Sequence, residues 1–127
     1  MKSVIVISSG QPDLSRMSKI YSDIGSVNLQ SPKRLVVEGQ WGWFAIGVEE
    51  QIEGEFSDAE RKKIERLVPE PVYAQLEYSN PVAADLAIGS MPAAANTLID
   101  NDHGIRRPIG EIRELIRTGM EWQTSTV

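Results

Sequence analysis

Residues 57–81 read SDAERKKIERLVPEPVYAQLEYSNP, and the reading of this stretch decides the fold. Ser57 and Glu60 have capping-box spacing: the hydroxyl accepts from the Glu60 amide while the Glu60 carboxylate reaches back to the Ser57 amide. Ile64, Leu67 and Val68 follow at helical spacing, which predicts a helix to about Val68. Pro69 and Pro71 stop it, because a proline disfavours helical geometry in the residue before it. Val72–Tyr78 then alternates, placing Val72, Ala74, Leu76 and Tyr78 on one face of a strand. Asn80 and Pro81 are a cap and a first-turn proline, and they open an Ala-rich helix that ends near Gly89. Helix, strand and helix follow with almost no loop between them, which is the alternation of an α/β protein.

The same pattern extends outward. Ser3–Ser8 is a β-branched run and predicts a buried strand. Pro12 lies near the start of a helix over 13–24, with Leu14, Met17, Ile20, Tyr21 and Ile24 on its apolar side and Gly25 as its left-handed stop. Residues 26–33 are polar and contain a proline, so they read as a loop. Arg34–Glu38 and Trp41–Gln51 read as strands separated by a hairpin or bulged bend near 38–42. Thr97–Asp100 reads as a strand, Asn101–Gly104 as a turn, and Pro108 as the opening of a last helix. That helix carries Ile109, Ile112, Leu115 and Ile116 inward and ends at Gly119. The tail Gln123–Val127 is polar or small and is expected to fray. The expectation is a single-domain α/β sandwich over residues 1–127, with a mixed sheet of about five strands and about four helices.

Composition narrows the function. A chain of 127 residues has room for one ordinary domain. It contains no cysteine, which excludes disulfides, thiolate catalysis and Cys-ligated metal sites, and its one histidine, His103, excludes a multi-histidine site within one chain. The net charge of −5 argues against a broad nucleic-acid surface, and Arg61-Lys62-Lys63 and Arg106-Arg107 are short enough to be solvated faces. Val4–Ile7 is too short for a signal-peptide core or a membrane span, so a cytoplasmic protein without membrane contact is expected.

The acidic excess is concentrated. Between Leu35 and Glu60 stand Glu38, Glu49, Glu50, Glu53, Glu55, Asp58 and Glu60, with no lysine or arginine among them. Elsewhere bases outnumber acids, thirteen to eleven. Acids at a helix start complement its dipole, and that alone accounts for part of the cluster. The same cluster would also speed encounter with a basic protein. On the second reading the contact residues are Glu49, Glu50, Glu53, Glu55 and Asp58, with Trp41 or Trp43 as an aromatic anchor if exposed.

Two other segments bear on chemistry. Asp100-Asn101-Asp102-His103-Gly104 follows a strand, where α/β folds place sites. Asp100, Asp102 and His103 together would serve a metal-dependent or acid/base enzyme. The same string suits a tight turn, because Asn, Asp and Gly tolerate left-handed geometry, and this turn reading leaves no catalytic residue, metal or cofactor. Ser8–Pro12 sits where a phosphate loop would lie but lacks the glycine spacing of a dinucleotide fingerprint and the Lys-Ser/Thr of a P-loop.

Val72–Ser79, the Ala/Leu helix after it, Thr97–Gly104 and a closing helical segment with a tryptophan, Ile109–Trp122, together resemble a pattern in small bacterial immunity proteins. With its small size, acidity and lack of cysteine, the chain is similar to immunity proteins of bacterial polymorphic toxins, including contact-dependent growth inhibition systems. The resemblance implies a protein that binds a cognate toxin domain and occludes its active site. Many such toxins are nucleases with basic active sites, for which an acidic plug is a complement. The resemblance assigns no individual residue.

Overall fold

In the computed structural model, which describes residues 2–126, the helix, strand and helix read from residues 57–81 are present. They are α2 (Asp58–Leu67), β5 (Pro71–Tyr78) and α3 (Pro81–Ser90). The capping box forms in both directions, Ser57 Oγ accepting from the Glu60 amide and Glu60 accepting from the Ser57 amide. Asn80 caps α3 through the Ala83 amide, with Pro81 in the first turn. The remaining elements are β1 (Lys2–Ser9), α1 (Leu14–Tyr21), β2 (Ser26–Ser31), β3 (Arg34–Gly39), β4 (Gly42–Val48), a 3-10 turn (Glu50–Glu55), β6 (Leu98–Asp100), β7 (Arg106–Pro108) and α4 (Ile109–Arg117).

The α/β class holds, but the sheet differs from the expected mixed one. It has seven strands in the order β2-β3-β4-β5-β1-β6-β7, and every pairing is antiparallel. The registers explain why helix–strand alternation misled. β1 and β2 run the same way, as do β5 and β6, so α1 and α3 are crossovers. Each crossover skips at least one oppositely directed strand, and no parallel neighbours meet.

Two strands, β2 and β7, lie outside the expected ones. β2 falls in the expected loop. It is an edge strand whose alternate residues Val27 and Leu29 lie toward α1 while Ser26 and Asn28 face solvent. β7 is only three residues long and polar. The strand expected to reach Gln51 ends at Val48, where the 3-10 turn takes over. Gly25 is no helix stop: α1 ends at Tyr21, and Gly25 instead admits the Glu38 carbonyl and Trp41, where a Cβ would lie 2.5 Å from the Glu38 oxygen.

Alternation sorts the side chains onto two faces. On one face Val4, Val6, Leu35, Val37, Phe44, Ile46, Ala74, Leu76, Tyr78 and Ile99 pack with residues of α1, α3 and α4. On the other, Ile7, Tyr73 and Leu98 pack under Ile52 of the 3-10 turn and Ile64 and Val68 of α2. The cover on this second face is partial. The cross-strand row Gln75–Ile5–Asp100 lies at its margin, and the row Val36–Ala45–Glu77–Ser3 belongs to neither core cluster, although Ala45 within it is buried.

The C-terminal tail does not fray as expected, over the residues described. Trp122 is fully buried and Gln123 nearly so; both donate to the Asp85 carboxylate, and Gln123 also donates to the Pro81 carbonyl. Val127 lies outside the described residues. Asn101, itself buried, clamps this tail. Its amide nitrogen donates to the carbonyls of Trp122 (2.7 Å) and Ser125 (2.8 Å), while its oxygen accepts from the amides of His103 and Ile105. Replacing it leaves four groups without this partner. Asn101→Ala should therefore destabilise the fold by about 2–4 kcal/mol, read as a thermal midpoint lowered by roughly 8–15 °C. A variant melting within a degree or two of wild type would show that the clamp does not hold the tail.

Candidate functional site, an acidic cleft at the margin of the sheet cover

A 3-10 helix has three residues per turn, so side chains at i and i+3 stack in one row. The turn Glu50–Glu55, with Glu49 as its cap residue, therefore sorts its acids by position. Glu49, Ile52 and Glu55 form one row, and Glu50 and Glu53 form another. Ile52 is buried against the sheet and seats the first row over the margin of the cover.

That row is one wall of a cleft. A hollow of about 240 Å³ is lined by Ser3, Ile5 and Gln75 from the sheet, Glu49, Ile52 and Glu55 from the turn, and Asp102. An adjoining hollow of about 460 Å³ shares Ile5, Glu55 and Asp102, and adds Phe56, Glu60, Asp100 and Arg106. The two acidic segments that sequence reading kept apart, Glu49–Glu60 and Asp100–Asp102, thus face each other across one floor. Among the described residues five carboxylates line the two hollows against one cation.

The cation is engaged. Arg106 Nε donates to Asp100 Oδ2 at 2.9 Å and Nη2 to Glu60 Oε2 at 2.7 Å, while the guanidinium carbon lies 5.3 Å from the centre of the Phe56 ring. Burial opposes the charge on Arg106, but the hydrogen bonds to Asp100 and Glu60 outweigh it and hold the guanidinium above its ordinary range. Hydrogen bonds from Arg106 first, then from Ser57, hold the Glu60 carboxyl below the usual carboxylate range. Glu49, Glu55 and Asp102 form no ion pair among the described residues.

The other expected contact residues are placed as follows. Glu50 and Glu53 stand on the opposite row of the turn, with Lys33 Nζ 3.7 Å from Glu50. Asp58 is exposed and paired with Arg61 one turn along α2. Trp41 is committed to the fold: it stacks on Phe44 with ring centres 5.6 Å apart, and its indole nitrogen donates to the Ile24 carbonyl. Trp43 is 37% exposed on the sheet face that carries the cleft, but at the far end of β4, roughly 20 Å of extended chain from Glu49.

Asn101–Gly104 is the turn that its residues indicated, with Asp102 and Gly104 at positive φ. His103 is exposed, whereas Asp100 is buried and spends its oxygens on Arg106 and the Asp102 amide. Among the described residues no three carboxylate or histidine side chains are grouped to hold a metal ion. No helix among them is long and apolar enough to cross a membrane. Sequence reading missed Ser3 and Gln75, which join the floor through a 3.1 Å hydrogen bond. Their signal was a polar residue on the outward alternation of an otherwise apolar strand.

Asp100→Ala removes a buried carboxylate that holds both a guanidinium and an amide, and should cost about 2–3 kcal/mol. His103→Ala, on an exposed turn, should cost no more than about 0.5 kcal/mol. Paired thermal melts check both, and equal losses would contradict the assignment. Because the folded-state pKa of Glu60 is lowered, the stability it contributes is complete above the ordinary carboxylate range and disappears as pH falls through the lowered value. The difference in melting temperature between wild type and Glu60→Ala should therefore be largest near neutrality and shrink on acidification. A difference unchanged down to strongly acidic pH would contradict the pairing.

No protein-family profile, characterised protein sequence or solved structure matches this chain, so the reading of the cleft rests on its own chemistry.

Proposed function

We propose that this protein acts by binding a basic protein, as an immunity protein that neutralises a cognate bacterial toxin domain in the cytoplasm. The acidic cleft covers the toxin's basic active site by steric and electrostatic occlusion, and the protein performs no chemistry of its own. The observation that carries this reading is the convergence of Glu49, Glu55 and Asp102, none of them in an ion pair among the described residues, on one concave floor. A concave site of one charge sign focuses its field outward, raising the encounter rate with an opposite surface. The cleft's one cation is already held by two carboxylates, so an incoming base meets little repulsion.

A toxin domain encoded by the neighbouring reading frame is the partner to test. Its expression should arrest growth alone and be tolerated with this chain. The double variant Glu55→Lys/Asp102→Lys should keep the fold and lose protection. Its association rate at low salt should fall about tenfold or more, with the difference narrowing in high salt as exposed charges are screened. Full protection and an unchanged association rate would remove the cleft from the interface.

A further inference from the structure

Glu50 and Glu53, the second row of the 3-10 turn, rim a crevice of about 220 Å³ lined also by Gln11, Val48, Pro71 and Tyr73. Tyr73 is 3% exposed, and its hydroxyl has no hydrogen-bond partner among the described residues. Such a group is uncommon in a folded protein, because burial removes water without replacing its hydrogen bonds. The ring is fixed against Phe56, with centres 5.6 Å apart, and among Ile52, Ile64 and Val68.

The cations that bear on the hydroxyl are occupied: Arg61 is held by Asp58, and Arg106 by Asp100 and Glu60. Burial first, then the charges of Glu53 and Glu65, push the phenol above its ordinary range, so it stays protonated at neutral pH. Its oxygen keeps its acceptor capacity unused but is closed to solvent in the unbound protein, so a ligand's donor reaches it only where the rim of the crevice yields. Two carboxylates and a phenol oxygen form an acceptor set for a planar group with several N–H donors, and a guanidinium supplies five in a fixed fork.

We propose that the crevice between Glu50, Glu53 and Tyr73 is an arginine pocket for the partner, with the guanidinium seated between the two carboxylates and one N–H donated to the Tyr73 hydroxyl. This rests on the reading of a basic protein partner and assigns one of its side chains a place. Lys33, more than half exposed and 3.7 Å from Glu50, is a loose occupant that an arginine would displace.

Hexa-arginine and hexa-lysine are the probes, titrated calorimetrically at about 20 mM salt into wild type, Tyr73→Phe, Glu53→Gln and Glu55→Gln/Asp102→Asn. Tyr73→Phe and Glu53→Gln should each weaken hexa-arginine about tenfold, as expected for a hydrogen bond to a charged group, and hexa-lysine by no more than about twofold. Tyr73→Phe should melt at or above the wild-type temperature, because it removes a buried hydroxyl that bonds nothing. Wild-type hexa-arginine affinity in Tyr73→Phe, with loss confined to Glu55→Gln/Asp102→Asn, would overturn the pocket and leave the basic-partner reading standing. Equal losses for the two peptides would overturn the choice of guanidinium. A Tyr73→Phe variant that melts well below wild type would show the hydroxyl satisfied internally, which also overturns the pocket. Hexa-arginine that fails to bind wild type would overturn the basic-partner reading itself.

Discussion

Arg106 is the tie on which the arrangement of the cleft depends. Its guanidinium spans from β7 to Asp100 on β6 and to Glu60 in the first turn of α2. Glu60 serves two structures at once: one oxygen accepts from the Ser57 amide and closes the capping box, and the other docks the helix start onto Arg106. The start of α2, the seat of the cover over Ile7, Tyr73 and Leu98, and the far wall of the cleft therefore share one ionic junction. Removing that cation would leave the four carboxylates of the larger hollow, Glu55, Glu60, Asp100 and Asp102, with no cation among its described lining residues, in a place where low-dielectric walls strengthen repulsion.

Most of the fold was legible where local chemistry and tertiary placement agree. The capping box at Ser57, the cap at Asn80 and the turn at Asn101–Gly104 depend on side chains bonding to their own neighbouring backbone, so a few residues suffice to specify them. Strand number and direction do not have that property. β2 looks like a loop because this edge strand buries only part of Val27 and leaves even Leu29 exposed, and nothing local records that β5 inserts beside β1. The tail was misread for a related reason. Gln123 is polar, but its partners, Pro81 and Asp85, are about forty positions away, so its burial is invisible to composition.

The site was legible in parts but not as a whole. The run of acids from Glu49 and the pair Asp100 and Asp102 both stood out, yet they looked like rival sites because their meeting depends on sheet order. β6 ends at Asp100 opposite Ile5, midway along β1, and the turn after β4 folds back over the same face of the sheet on Ile52, which brings Asp102 beside Glu49 and Glu55. The aromatic anchor was ambiguous for the opposite reason. Trp41 and Trp43 are two residues apart, but one sits in the hairpin turn and stacks inward, while the other follows the pleat outward.

The 3-10 geometry limits what the acidic turn can present. In the row of Glu49, Ile52 and Glu55 the middle position must be apolar, because Ile52 is the residue that anchors the turn to the sheet. A third acid there would lose that burial, at a cost of about 1.5–3 kcal/mol for the side chain, and the turn would lift from the floor it walls. An α-helix over the same residues would turn each i, i+3 neighbour by about 60°, so Glu49, Ile52 and Glu55 would fan across roughly 120° instead of stacking in one row. The tighter period thus places two carboxylates on the cleft side and two on the side of Tyr73, with one buried isoleucine fixing the register of both.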